Sequence, residues 1–231
     1  MKKLVVLSGA GVSAESGLST FRGAGGLWEG YDINEVASIE GWISNPELVL
    51  DFYNMRRKQA FEAKPNQAHI IIAQLQEYFD VQVITQNVDD LHEKAGSKNV
   101  LHLHGKLSEA KSEHDDSFIL ELGNKEITFG DCCPNGHQLR PNIVWFGEMV
   151  PAIEEAIKLV SDTDIIVVVG TSLLVYPAAS LVDYVSSNSR LFLVDPNPPS
   201  LARISDEIDV IEENATTGML KLKQKLLNEY F

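Results

Sequence analysis

Short apolar runs set between segments of helical spacing, each run breaking into a polar or glycine-rich turn, leave this chain few architectures to adopt. The runs lie at residues 4–7, 81–84, 142–146, 165–169, 191–194 and 208–211, and they read as strands buried on both faces of a parallel sheet. Residues 66–79, 153–160 and 177–185 carry apolar side chains at helical spacing between them. The alternation predicts an α/β fold with a doubly wound parallel sheet. Gly9-Ala10-Gly11, Thr85-Gln86-Asn87, Gly170-Thr171-Ser172 and Asp195-Pro196-Asn197 follow four of the runs. Ligands of open α/β sheets bind beyond the strand C-termini, so these turns are expected to line one crevice.

Two stretches break the alternation. Residues 23–64 read as mostly helical, with Pro46 and Glu47 opening a helix that runs through Tyr53 and Arg56. Residues 108–140 are charged, with turn signals at Gly123-Asn124 and Pro134-Asn135-Gly136. Both are expected to form a small lobe inserted in a single domain spanning 1–231. A net charge of -14 argues against a grip on nucleic acid or anionic lipid. A lysine-rich peptide suits such a surface. No apolar run approaches the ~20 residues of a membrane span, and the run after Met1-Lys2-Lys3 is too short for a secretory signal. With only the adjacent Cys132 and Cys133, no disulfide framework is expected, and a reducing, cytoplasmic setting fits.

The first run leads into Gly9-Ala10-Gly11-Val12-Ser13-Ala14, a G-x-G-x-x-A pattern that lets a backbone approach a pyrophosphate at a helix N-terminus. An ordinary tight βα turn is the alternative. The acidic residue that dinucleotide folds carry ~20 positions on is poorly matched, which disfavours a hydride-transferring dehydrogenase. Gln86, Asn87 and Asp89 offer amide and carboxylate groups at a strand end, either to orient a reacting sugar or merely to cap a turn. His104, before Gly105, has the chemistry of a base near neutral pH, although a lone histidine can equally be a hydrogen-bonded core residue. Strand alternation puts His102 on the same side as His104. Tyr53 and Arg56, at i and i+3, share a helix face. Together they could seat a carboxylate, or with Arg57 and Lys58 form a solvated face.

The segment from Gly9 to Arg22, GAGVSAESGLSTFR, closely resembles the opening motif of the sirtuin family. Ordered blocks continue the resemblance: residues 85–92 (TQNVDDLH), Leu103-His104-Gly105, Leu139-Arg140-Pro141, 144–148 (VWFGE), 170–179 (GTSLLVYPAA) and 214–218 (NATTG). The resemblance implies a Rossmann-like large lobe, a small lobe, and NAD meeting an acyl-lysine peptide between them. It implies an NAD-dependent protein-lysine deacylase, a transferase that moves the acyl group onto ADP-ribose and releases nicotinamide, lysine and 2′-O-acyl-ADP-ribose. His104, Asn87 and Asp89 would be catalytic. Gly9, Ala10, Gly11, Glu15, Phe21, Arg22, Trp28, Gln86, Asn87, Asp89, Gly170, Thr171, Ser172, Asp195 and Ala215 would hold the cofactor. Val144, Phe146 and Gly147 would pair with the peptide backbone as an added strand, and Val175 would touch substrate. The segment 52–56 (FYNMR) resembles that of desuccinylating members, implying that Tyr53 and Arg56 accept succinyl or malonyl groups beside acetyl. Rival readings are a protein ADP-ribosyltransferase and a non-catalytic NAD or ADP-ribose sensor.

One departure stands out. Most sirtuins hold the small lobe with zinc on two pairs of cysteines, whereas here no cysteine lies between Gly105 and Asp131. Cys132, Cys133, His137 and His114 remain, and vicinal cysteines fit two corners of a tetrahedron poorly. Zinc is therefore expected to be absent, with Phe118, Ile119, Leu120, Leu122, Ile127 and Phe129 packing the lobe instead.

Overall fold

Alternate side chains of a strand point to opposite faces, so a strand whose every residue is apolar must be covered on both. The computed structural model, which describes residues 1–19, 27–198 and 208–231, is organised around several such strands. In chain order its elements are β1 (Lys3–Ser8), the short pair β2 (Leu27–Trp28) and β3 (Tyr31–Asp32), helices α1 (Ile33–Val36), α2 (Ile39–Ser44), α3 (Pro46–Glu62) and α4 (Gln67–Gln74), then β4 (Asp80–Thr85), α5 (Leu91–Lys94), β5 (Val100–His102), β6 (Gly105–Ser112), β7 (Ile119–Glu121), β8 (Leu139–Ile143), α6 (Ile153–Ser161), β9 (Ile165–Val169), β10 (Arg190–Val194), β11 (Ile208–Ile211) and α7 (Ala215–Tyr230). Six strands form one parallel sheet in the order β11-β10-β9-β1-β4-β5.

Every residue of β9 is fully buried. Ile165, Val167 and Val169 join Leu4 and Val6 in a core completed by α4 and α7, while Ile166 and Val168 join Val5 and Leu7 in a core completed by α6 and the 3-10 segment Ala178–Tyr184. The sheet is thus doubly wound. The chain builds outward from β1 through β4 to β5, then returns to the far side of β1 at β9. That reversal makes the β1/β9 C-terminal crevice a topological switch point, where such sheets take ligands.

Several elements differ from the pattern expected from the sequence. Residues 142–146 are not a strand of the main sheet. The strand there is β8, which pairs antiparallel with β6 in a three-stranded sheet of order β7-β6-β8. The sixth parallel strand is β5, whose apolar run is interrupted by His102. Residues 177–185 coil as a 3-10 segment, and α4 ends at Gln74 before a 3-10 turn. No α-helix opens after Gly11 either, since 3-10 turns at Ala10–Val12 and Ala14–Ser16 lead to Gly17 in the left-handed region (φ 85°).

A third core gathers Phe52, Tyr53, Trp42, Trp145, Leu107 and Ile127 around α3. Asn45 caps α3 by accepting from the Leu48 N–H, with Pro46 in the first turn as expected. Of the residues expected to pack this lobe, Ile127 is buried and Phe118 and Leu122 are partly so, but Ile119, Leu120 and Phe129 are exposed. Strand β7 is an edge strand, and its residues are all exposed. The aromatic side chains of α3 supply the core instead. Arg57, expected on a solvated face, is buried, donating from Nε to the Leu107 carbonyl (2.6 Å) and from Nη1 to Asn54 Oδ1 (2.6 Å).

Candidate active site

At the switch point the two glycine turns are bonded edge to edge. The Gly9 N–H donates to the Val169 carbonyl (3.1 Å) and the Gly11 N–H to the Gly170 carbonyl (2.8 Å). A Cβ at Gly11 would lie 2.8 Å from both the Cα and the carbonyl oxygen of Gly170, closer than carbon side chains approach backbone. These glycines therefore serve loop-to-loop contact, and their N–H groups are engaged within the protein. Gln86 closes the crevice from β4, donating from Nε2 to Thr171 Oγ1 (2.9 Å).

Beneath this rim lies a buried polar network. Ser13 donates to Asp89 Oδ2 (3.0 Å) and accepts from Asn87 Nδ2 (3.1 Å), while Asp89 Oδ1 accepts from the Leu91 N–H (3.1 Å). Burial pushes the Asp89 carboxyl above its ordinary range, against the opposing pull of these hydrogen bonds. His69 stands 3.5 Å from the Ser13 hydroxyl and 3.1 Å from Asn66 Oδ1, and Asn66 in turn donates to the Val12 carbonyl (2.8 Å). Ser13, Asn66 and His69 were missed as site residues. Their signal was present in the glycine motif and in the cap of the next helix, but side-chain convergence across 56 residues of sequence leaves no local mark.

Two histidines mark the end of β5, His102 within it and His104 just beyond, and their surroundings separate them. His102 has both ring nitrogens engaged, Nδ1 with the Asn87 carbonyl (3.0 Å) and Nε2 with Glu93 Oε1 (2.8 Å). His104 donates Nδ1–H to the Gln86 carbonyl (3.0 Å), which leaves Nε2 as the basic nitrogen. Burial holds its pKa below the usual histidine value, with the Gln86 hydrogen bond opposing. Strand alternation does not relate the two, because β5 ends at His102. Gly105 fixes the chain after His104. Its φ is +79°, and a Cβ there would come within 1.9 Å of the Asn142 carbonyl oxygen.

The loop after β8 is clamped to α3. Arg140 and Glu148 form a two-pronged ion pair (2.8 and 3.0 Å) with the guanidinium 3.4 Å from the Trp145 ring centroid, and Glu148 also accepts from the Trp145 N–H (2.7 Å). Trp145 Nε1 donates to the Tyr53 hydroxyl (3.1 Å). The Val144 and Phe146 N–H groups donate to His104 and Ala37 carbonyls. An added peptide strand thus cannot use the donors of Val144 or Phe146, and carbonyls and Gly147 are what the loop can offer. Tyr53 is buried, which raises its phenol well above the ordinary value and keeps it protonated. Arg56 is also buried and already holds a partner, Glu29 Oε1, at 2.9 Å.

Other expected cofactor contacts sit as follows. Glu15 accepts from the Thr216 N–H (3.1 Å) and hydroxyl (2.7 Å), tying the first turn to the start of α7, where Ala215 is buried. Asp195 is buried and accepts from the Asn197 N–H (2.8 Å), closing its own turn. Ser172 and Val175 are partly buried beyond Thr171. Trp28 packs on Phe52 and under the Arg56 guanidinium (5.0 Å), a contact with α3. Phe21 and Arg22 lie outside the described residues. No group of three or more His, Cys, Asp or Glu able to hold a metal occurs among the described residues.

Comparison with known proteins places this geometry. The Sir2 family model matches residues 9–177. A Helicobacter pylori NAD-dependent protein deacylase is 51% identical over 98% of this chain and 96% of its own length. A Bacteroides thetaiotaomicron NAD-dependent protein deacylase is likewise 51% identical, over 98% of this chain and 99% of its own. Among solved structures, a Sir2 homolog–NAD complex superposes with a TM-score of 0.88 at 39% identity, covering 99% of this chain and 90% of that one.

Proposed function

The chain belongs to the Sir2 family and is an NAD-dependent protein deacylase, and from that premise we propose that His104 is its base and that Tyr53 and Arg56 admit acidic acyl groups. Acyl-lysine side chains of proteins are its substrate class. The single observation that carries the reading is the contrast between the two histidines: among the described residues His104 Nε2 has no hydrogen-bond partner, while both nitrogens of His102 are engaged. Its depressed pKa leaves it neutral, and so able to take a proton, at pH 7.

The crevice fits NAD through its paired glycine turns, the Gln86–Thr171 bridge and the Ser13–Asn87–Asp89 network. When bound, NAD supplies the ribose that receives the acyl group and the nicotinamide that leaves. Asn87 and Asp89, held by Ser13, orient polar groups of the cofactor. His104 removes a proton from a hydroxyl at Nε2, and the Gln86 carbonyl, accepting from Nδ1–H, steadies the imidazole as it becomes charged. The clamped 144–147 loop carries the peptide. Tyr53, protonated by its burial, offers a hydrogen bond while Arg56 offers charge, a combination suited to a succinyl or malonyl carboxylate.

We also infer that the small lobe needs no zinc. Cys133 is buried and donates to Ser112 (3.6 Å), while exposed Cys132 donates to the Gly130 carbonyl (3.3 Å), so the two thiols serve separate contacts. The cytoplasm remains the compartment this reading favours. No helix among the described residues is long and apolar enough to cross a membrane.

Mass spectrometry of acetyl- and succinyl-lysine peptides with NAD tests the proposal. His104→Ala is expected to lower turnover by about 10²–10⁴-fold, the usual worth of a general base, while NAD binding, read by calorimetry, persists. Turnover undiminished in that variant removes His104 from the chemistry.

A further inference from the structure

Residues Glu29 and Gly30 form the two-residue loop of the hairpin in which Trp28 pairs with Tyr31. Both are left-handed, at φ 53° and 87°, as a type I′ turn demands. Asn or Asp followed by Gly is the usual choice there. Glutamate gains nothing from that backbone, since an ordinary L side chain is strained at positive φ. What the position does provide is direction, because the Glu29 carboxylate reaches across to Arg56 Nη1 at 2.9 Å.

The pairing leaves donor capacity on the guanidinium. A carboxylate can satisfy an arginine with two parallel hydrogen bonds, yet Glu29 meets Arg56 through one oxygen and one nitrogen. Arg56 Nε is buried and has no hydrogen-bond partner among the described residues. The Arg56 side chain is 7% exposed and that of Glu29 22%, so the internal carboxylate lies on the solvent side of a buried cation. Trp28 fixes the guanidinium by stacking 5.0 Å away.

We propose that Glu29 is a specificity-determining residue, an internal carboxylate seated on Arg56 that an acidic acyl group must displace and a neutral acyl group need not. This rests on the reading of Tyr53 and Arg56 as the acyl pocket. Glu29 then penalises succinyl and malonyl substrates relative to acetyl, chiefly in KM, and keeps the buried cation paired while acetyl-lysine is processed.

Steady-state kinetics on matched acetyl and succinyl peptides test it in native protein, Glu29→Gln, Glu29→Gly and Arg56→Met. Glycine suits the positive φ, so Glu29→Gly removes the carboxylate without straining the turn. Both Glu29 variants are expected to raise the succinyl-to-acetyl ratio of kcat/KM by about fivefold, the equivalent of a partly exposed ion pair, with the gain in KM. An unchanged or lowered ratio in both overturns the assignment of Glu29. Arg56→Met separates the two readings. If native protein removes succinyl groups and this variant does not, the pocket stands whatever Glu29 does; if succinyl removal is absent or indifferent to Arg56, the pocket fails and Glu29 with it.

Discussion

Single side chains decide most of the chemistry, and pH reads them directly. Burial lowers the His104 pKa, so the base we propose stays deprotonated at neutral pH and is lost only as pH falls through a value below the ordinary ~6.5. The acid limb of kcat/KM is therefore expected below pH ~6.5. A limb at or above that value contradicts the assignment. The sequence made His104 visible through the Leu103-His104-Gly105 block, but it could not separate His104 from His102 on physical grounds. That distinction arises from the Gln86 and Asn87 carbonyls and from Glu93, which the fold brings together. Glu29 was likewise invisible, since neither its turn nor its partner 27 residues away leaves a local pattern.

Elements were legible where burial is uniform and obscure where it is mixed. β1, β4, β9 and β10 announce themselves as short buried apolar runs, and β11 shows through Ile208, Val210 and Ile211 although none of its residues is buried, while β5, a shorter run ending in His102, was not counted in the sheet and β8 is masked by Pro141, whose missing N–H argues against a strand interior. The residues 142–146 misled for a physical reason. Val144 and Trp145 are apolar because they pack against two different cores, Trp145 being buried beside Tyr53, and their backbone forms a clamped loop. At the switch point the β1 and β9 turns touch through backbone, and neither can yield to a new side chain. Gly11→Ala is expected to cost about 1–3 kcal/mol, as overpacking does, and to weaken NAD binding, measured by thermal melting and calorimetry. Unchanged melting and affinity would show that the close approach of the two turns carries no weight.

At the scale of the whole molecule, a parallel sheet with two covered faces supplies a rigid base, and the three-stranded sheet with α3 forms a separate aromatic core. The three-stranded sheet and α3 lie in or beside the two stretches that interrupt the α/β alternation; their packing was not legible, because charged residues 108–121 conceal which side chains meet α3. Packing by Phe52, Trp42, Trp145 and Ile127, with the Arg57 anchor to Leu107, leads to the expectation that dialysis against a chelator leaves melting temperature and turnover unchanged. Stoichiometric zinc by metal analysis, with loss of the lobe on its removal, would contradict this. On this proposal the nucleotide crevice and His104 act together on an acylated lysine. Nicotinamide release and product mass, followed with NAD in the presence and absence of an acyl-lysine peptide, decide it. Nicotinamide and 2′-O-acyl-ADP-ribose are expected in equal amounts, formed only when the peptide is acylated; nicotinamide release without acylated peptide, with ADP-ribose mass added to protein, would overturn the deacylase chemistry.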